Sequence, residues 1–212
     1  MEHCPPDAAA GPAQAGSVLL HMCCGPCALL PVRRLRDEGF AVTGLFYNPN
    51  IHPLTEYLRR RAAARLAGQR LCLPVLEAET PETAWDLARW LASVHDPDLV
   101  GDPRSAERCA FCYRERLLYT ARRAKASGFA AFTTSLLYSR RQRHALIRQA
   151  GEHAAETAGV AFVYRDFRPD WQSGIELSKA WDLYRQNYCA CIYSEAERFA
   201  GNLSLDGQTK NT

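Results

Sequence analysis

The chain has 212 residues, 47% of them hydrophobic, enough to bury one sizeable core. No apolar run approaches the ~18 residues of a membrane-spanning helix and the first residues lack a signal-peptide core, so no membrane association and a cytoplasmic location are expected. The formal net charge of +3 permits nucleic-acid binding without arguing for it. Nine cysteines under reducing conditions point to metal or redox chemistry, and structural disulfides are not expected.

Residues 1–16 are rich in Pro, Ala and Gly and read as a disordered leader, and residues 201–212 as a frayed tail. Between them, residues 17–200 form a single α/β catalytic domain. Its first strand spans Ser17 to His21 and runs into MCCGPC. A helix from about Pro26 to Glu38 follows and ends at Gly39. A second strand covers Phe40 to Tyr47, then Asn48-Pro49-Asn50 turns the chain, because proline cannot continue a strand ladder. Helical spacing marks residues from about Pro53 to Arg70, and Leu71 to Leu76 reads as a third strand. Thr80 with Pro81 behind it has the form of a helix start.

The stretch from His95 to Arg108 is polar, broken by proline and glycine, and reads as a loop. It leads into a helix from about Cys109 to Ser127, a fourth strand from Phe129 to Thr134, and a basic helix from about Arg141 to Ala158. A fifth strand covers Val160 to Arg165, a helical region about Gly174 to Tyr188, and Cys189 to Phe199 closes the domain. Strands alternating with helices of this length predict a three-layer fold, a parallel sheet covered on both faces. In such sheets the site lies beyond the carboxyl ends of the strands, where the first cysteine group falls.

The basic residues come in groups: Arg33, Arg34 and Arg36; Arg59, Arg60, Arg61 and Arg65; Arg114, Arg116, Arg122, Arg123 and Lys125; Arg140, Arg141 and Arg143. Each taken alone reads as a solvated helix face.

Seven cysteines fall into three tight groups: Cys23, Cys24 and Cys27; Cys109 and Cys112; Cys189 and Cys191. Cys4 in the leader reads as incidental and Cys72 as a small structural hydrophobe. Thiolates three residues apart can face one metal, as zinc or an iron–sulfur cluster requires. Cys24-Gly25-Pro26-Cys27 also resembles a thioredoxin-type redox pair, but such a pair has no use for five more clustered thiols. One four-iron cluster or structural zinc takes four thiolates, which leaves three for a second metal with an open position. Adjacent side chains tend to point apart, which assigns Cys24 and Cys27 to that second metal. Cys23, Cys109, Cys112 and one of Cys189 or Cys191, taken as Cys191, are then assigned to the cluster. Soft thiolates without histidine, in a set larger than four, favour iron–sulfur over zinc.

The stretches LLHMCCGPC, FYNPNIHPLTEYLRR, RCAFCYRERL, FTTSLLYSRRQRH and DFRPDWQSGIELSKAWDLYRQNYCACIYS together resemble the QueH-type epoxyqueuosine reductases, in the same order and spacing from about Ser17 to Phe199. The resemblance implies a Rossmann-like (HUP-like) fold with a helical C-terminal extension carrying the metal-cluster site. It also implies reduction of epoxyqueuosine at the tRNA wobble position to queuosine, without cobalamin. The implied cofactors are a four-iron, four-sulfur cluster and an adjacent mononuclear metal, iron. All seven grouped cysteines fall on the family's cysteine positions. Ala190 stands where a glycine is expected, which matters only if the backbone there needs positive φ.

Such chemistry needs a proton donor, for which His21, Tyr113 and Asp166 are the candidates, with His52 and Tyr188 behind them. Asn48 and Asn50 either bind substrate hydroxyls or build their turn. Arg140, Arg141 and Arg143 are candidates for phosphate contacts and Tyr138 for stacking on a base. No phosphate-binding glycine motif is present, so electrons are expected from an external low-potential donor of ferredoxin or flavodoxin type. The competing readings are a cluster-dependent tRNA sulfur-transfer enzyme and a zinc-stabilised RNA-binding module.

Overall fold

A computed structural model describes residues 16–78, 80, 85, 87–94 and 106–202. The leader, Cys4, the expected helix start at Pro81, residues 95–105 of the expected loop and the tail from 203 lie outside the described residues.

Five parallel strands form one sheet in the order β3-β2-β1-β4-β5. They are β1 (Ser17–His21), β2 (Ala41–Phe46), β3 (Val75–Glu77), β4 (Ala131–Thr134) and β5 (Ala161–Phe162). The central strands read as continuous apolar runs because both their faces are covered: Val18, Leu19 and Leu20 are fully buried, as is Phe132. The described residues hold seven α-helices: α1 (Gly25–Asp37), α2 (Leu54–Leu71), α3 (Leu87–Val94), α4 (Ala106–Ala126), α5 (His144–Ala158), α6 (Trp171–Ala180) and α7 (Ile192–Phe199). None is long and apolar enough to cross a membrane.

The chain winds outward from β1 to β2 to β3, then returns to the middle for β4 and continues to β5. Right-handed crossovers in opposite directions put α1 and α2 on one face and α4 and α5 on the other. Each pair packs together accordingly, which gives the expected three layers. The reversal lies between the carboxyl ends of β1 and β4, the ligand-binding crevice of open α/β sheets.

The structure corrects several boundaries. Helix α2 runs on to Leu71, and Cys72 sits past its end in the left-handed conformation (φ 47°, ψ 47°), so Cys72 is not in a strand. It is also disulfide-bonded, against the expectation of none. Strand β3 begins only after Pro74. Helix α4 starts at Ala106, three residues early. After β4 the chain makes a 3₁₀ turn at Ser135–Tyr138, capped by the Thr134 side chain, so α5 begins at His144 and not at Arg141. The last long helix begins at Trp171 and stops at Ala180, leaving residues 181–191 as irregular chain.

Candidate active site

His21 ends β1, fully buried, and ties three strands together. Its Nε2 meets the Tyr47 carbonyl at 3.0 Å, so it must carry the proton there. Nδ1 is then the acceptor, from the Thr134 hydroxyl at 2.9 Å. Burial, reinforced by the nearby Arg116 charge, lowers its pKa to about 4. This locked, neutral ring sets the strand ends from which the cysteine loop departs.

The loop is held from β4's side too. The Cys23 amide donates to Ser135 Oγ (3.0 Å), and that hydroxyl donates back to Cys23 Sγ (3.3 Å). Cys24 is the N-cap of α1, its sulfur accepting from the Cys27 amide at 3.3 Å. Gly25 lets this turn sit on α2, since a Cβ there would run into the Ala63 backbone. The sulfurs of Cys23, Cys24 and Cys27 lie within 4.8 Å of one another, a set of ligand atoms close enough to hold one metal ion. Cys23 and Cys24 do not diverge: their sulfurs are 3.9 Å apart, because the chain is extended at Cys24 and turns into the helix behind it. Hydrogen bonds from Cys24 and Cys27 hold the Cys23 thiol well below its ordinary value. Burial pushes Cys24 up, and Cys23 and then Cys24 push Cys27 up. Three sulfurs this close repel one another when ionised, which makes them a donor set that a soft cation satisfies.

The second group forms where α7 meets α4. Cys109, Cys112 and Arg116 follow helical spacing on α4, and Cys112 is buried against Trp90 and Val94, with Tyr193 of α7 packed on them. Arg108 fixes α7 by its ion pair with Glu197 at 3.0 Å and by lying 4.3 Å over the Tyr193 ring. Cys191 is the N-cap of α7. Burial is the main cause that raises the Cys109, Cys112 and Cys189 thiols, with mutual repulsion from neighbouring cysteines adding to it. The four sulfurs therefore share one electrostatic neighbourhood, though more loosely than the first three.

Cys189 owes its place to a buried ion pair. Arg60 bonds Glu56 at 2.6 Å, and its other nitrogens reach the carbonyls of Cys189 (3.3 Å) and Tyr188 (3.2 Å). Tyr184 donates to the same Glu56, while the His52 amide donates to the Ala190 carbonyl at 2.9 Å. Ala190 is fully buried with φ +94°, so the backbone does require the conformation that favours glycine.

These walls enclose a cavity of about 620 Å³ lined by Cys23, Cys27, Cys189, Asn48, Asn50 and Arg116 among others. Tyr138 and Arg141 also line it. The Asn48 amide nitrogen donates to the Met22 carbonyl at 2.9 Å, so its orientation is fixed, while the side-chain oxygens of both Asn48 and Asn50 are buried without a partner. Tyr138 is engaged, its hydroxyl on the Trp171 carbonyl and its ring stacked on Trp171. Arg140 and Arg143 are exposed beside Arg141. Tyr113 is buried; its hydroxyl donates to Gln142 at 2.7 Å, and Gln142 donates in turn to Cys189 Sγ at 3.4 Å. Asp166 is elsewhere, paired with Arg168 at 2.6 Å on the surface and held down to about pH 2 by that arginine. Gln142, Gln186, Ser135, Arg60 and Arg116 carry the site without having stood out in the sequence. Only the i,i+4 pair Glu56/Arg60 and the spacing of Arg116 from Cys112 gave a signal.

The model of the family described as epoxyqueuosine reductase QueH matches residues 18–197. Curated proteins of that name are similar along most of this chain. The one from Thermotoga maritima is 37% identical over 185 residues, 86% of this chain and 92% of the relative. That from Dehalococcoides mccartyi is 35% identical, over 87% of this chain and 96% of the relative. That from Haemophilus influenzae is 33% identical, over 84% and 71%. The match spans β1 to α7 and takes in all seven grouped cysteines. The chain belongs to the QueH family of epoxyqueuosine reductases.

Proposed function

We propose that this protein removes the epoxide oxygen of epoxyqueuosine in tRNA to give queuosine, without cobalamin, at a thiolate-held iron–sulfur centre. The observation that carries the reading is the convergence of three thiols, Cys23, Cys24 and Cys27, two of which, Cys23 and Cys27, line a cavity whose wall also carries Cys189. The chemistry balances as epoxide plus two electrons plus two protons to alkene plus water. The residues fit a two-part centre. The tight trio offers three ligands and leaves a fourth position open, while Cys109, Cys112, Cys189 and Cys191 supply the four that a four-iron, four-sulfur cluster takes. The 3.9 Å between Cys23 and Cys24 favours this division over one that puts Cys23 with the cluster. When bound, such a centre supplies electrons singly and a Lewis acid, iron, for the departing oxygen.

The chain's own residues supply the rest. Asn48 and Asn50 present buried oxygens that accept hydrogen bonds from the substrate's cyclopentane hydroxyls. Gln142 and Gln186 donate to the sulfurs of Cys189 and Cys27, at 3.4 and 3.8 Å, and steady them as thiolates. Tyr113 orients Gln142. His21, whose protonated nitrogen is spent on Tyr47, positions the cysteine loop and does not deliver protons. Arg141 on the cavity wall, with Arg140 and Arg143 exposed beside it, tracks the tRNA backbone, and a ferredoxin- or flavodoxin-type donor supplies the electrons.

The test is an anaerobic assay on epoxyqueuosine-containing tRNA with a chemical reductant, read by nucleoside mass analysis. Queuosine should form with the iron- and sulfide-loaded protein and not with the metal-free one. A colourless, zinc-loaded protein that binds tRNA without turnover would overturn the reading.

A further inference from the structure

Three arginines of this site are almost wholly buried, and two have carboxylates. Arg60 has Glu56, and Arg108 has Glu197. Arg116, 1% exposed and the largest fully buried side chain, has none among the described residues. Its Nε donates to the Cys112 carbonyl one turn back at 3.2 Å, and its Nη2 is buried without a partner. The side chain comes off α4 on the face of Cys109 and Cys112 and reaches the wall of the cavity lined by Cys23 and Cys189. A guanidinium does not lose its proton, so it cannot escape burial by becoming neutral. A buried cation without a counter-ion is strongly disfavoured, so its partner must be an anion that this cavity supplies. The Tyr113 ring lies 5.8 Å from the guanidinium, and the groups around it able to carry negative charge are that phenol and thiols of both cysteine sets, of which the thiols ionise more readily.

We propose that Arg116 is the internal counter-cation of the thiolate centre, set between the two cysteine groups to neutralise charge that thiolates bring with their metal and to raise the centre's reduction potential. The proposal rests on the reading that these cysteines hold iron. A centre built on thiolates is electron-rich, and each added electron is more easily accepted beside a fixed positive charge. Arg116 is thus a positioning residue for charge and is not placed on the substrate.

The test compares the full chain with Arg116→Lys and Arg116→Met, each metal-free and after anaerobic loading with iron and sulfide. In loaded protein, Arg116→Met should shift the reduction equilibrium at least tenfold toward the oxidised form, a fall of about 59 mV for a one-electron couple. Arg116→Lys, which keeps the charge, should stay within that tenfold of wild type. Stability should reverse sign with loading. Metal-free Arg116→Met should melt no lower than metal-free wild type, because it loses an unneutralised buried charge, whereas the loaded variant should melt below loaded wild type. An unchanged potential in a fully loaded Arg116→Met, or a metal-free Arg116→Met that melts lower or fails to fold, overturns the proposal and makes the arginine structural. Wild type that takes up no iron overturns the metal reading itself, and this inference with it.

Discussion

The guanidinium of Arg60 donates to the main-chain carbonyl of Cys189, 129 positions away in sequence, and so a charge pair inside α2 holds the last cysteine segment in place. Removing one partner of such a pair leaves the other charged and buried. Arg60→Met should therefore lower stability by about 3–5 kcal/mol in urea titrations. Glu56→Gln combined with Arg60→Met should recover part of that loss but not metal binding, because the carbonyls of Tyr188 and Cys189 stay unheld.

Cys112 is the most enclosed thiol of the second group, packed with Trp90 and Val94 between α3, α4 and α7. Cys112→Ala should abolish the visible absorbance of the loaded protein. The variant should also lose the rise in melting temperature that loading gives to wild type, since metal binding is partly folding energy. A wild-type spectrum in this variant would remove the second group from the cluster.

Asp166 tests the proton-donor assignment. Arg168 holds its carboxyl at about 2 against the ordinary 3.8, so at neutral pH it has no proton to give. Asp166→Asn should leave turnover unchanged. A carboxyl whose folded pKa is depressed adds stability above its unfolded pKa and loses it as pH falls through the folded value. The pair is largely solvent-exposed, so Asp166→Asn should cost under ~1 kcal/mol at pH 7, with that difference gone near pH 2. Melting curves at the two pH values read it directly.

Neither Arg140 nor Arg141 has a carboxylate within ion-pair distance among the described residues; Glu152 is taken by Arg148 at 2.7 Å. Charge removal at both should weaken tRNA binding and lower the slope of log affinity against log salt by up to roughly two units, one per phosphate contact. The visible spectrum should not change. Titrations at two salt concentrations decide it.

Ala190 is held at φ +94°. Left-handed backbone costs a non-glycine residue about 1–2 kcal/mol, part of which glycine gives back as chain entropy. Ala190→Gly should raise stability by up to about 1 kcal/mol, seen as a higher urea midpoint with full metal content.

The parts legible in the sequence were those fixed by local pattern. Strands β1, β2 and β4 stand as apolar runs because the centre of a parallel sheet is covered on both faces. The edge strands β3 and β5 pair on one side only and shrink to three and two residues, too short for their flanking apolar letters to mark. Grouping the thiols by sequence marked the Cys23, Cys24 and Cys27 trio that converges, but not how the seven divide. The arginine groups misled most. Arg60 and Arg116 read as solvated helix faces, yet both are buried, because what accepts an arginine's charge comes from chain far away. Tyr184, 128 residues from Glu56, completes the Arg60 pair, and nothing near Arg60 announces it.

The irregular stretch after Ala180 has a consequence for how the protein is made. Synthesis runs from the amino end, and all five strands have left the ribosome once Phe162 has. At that moment the nascent chain owns its whole sheet and five of the seven clustered thiols, but not Cys189 or Cys191. The growing chain thus carries an incomplete sulfur site. Only when residues 184–191 emerge and lock onto Arg60 and His52 does the cavity close. The full set of seven clustered thiols therefore comes together late in synthesis.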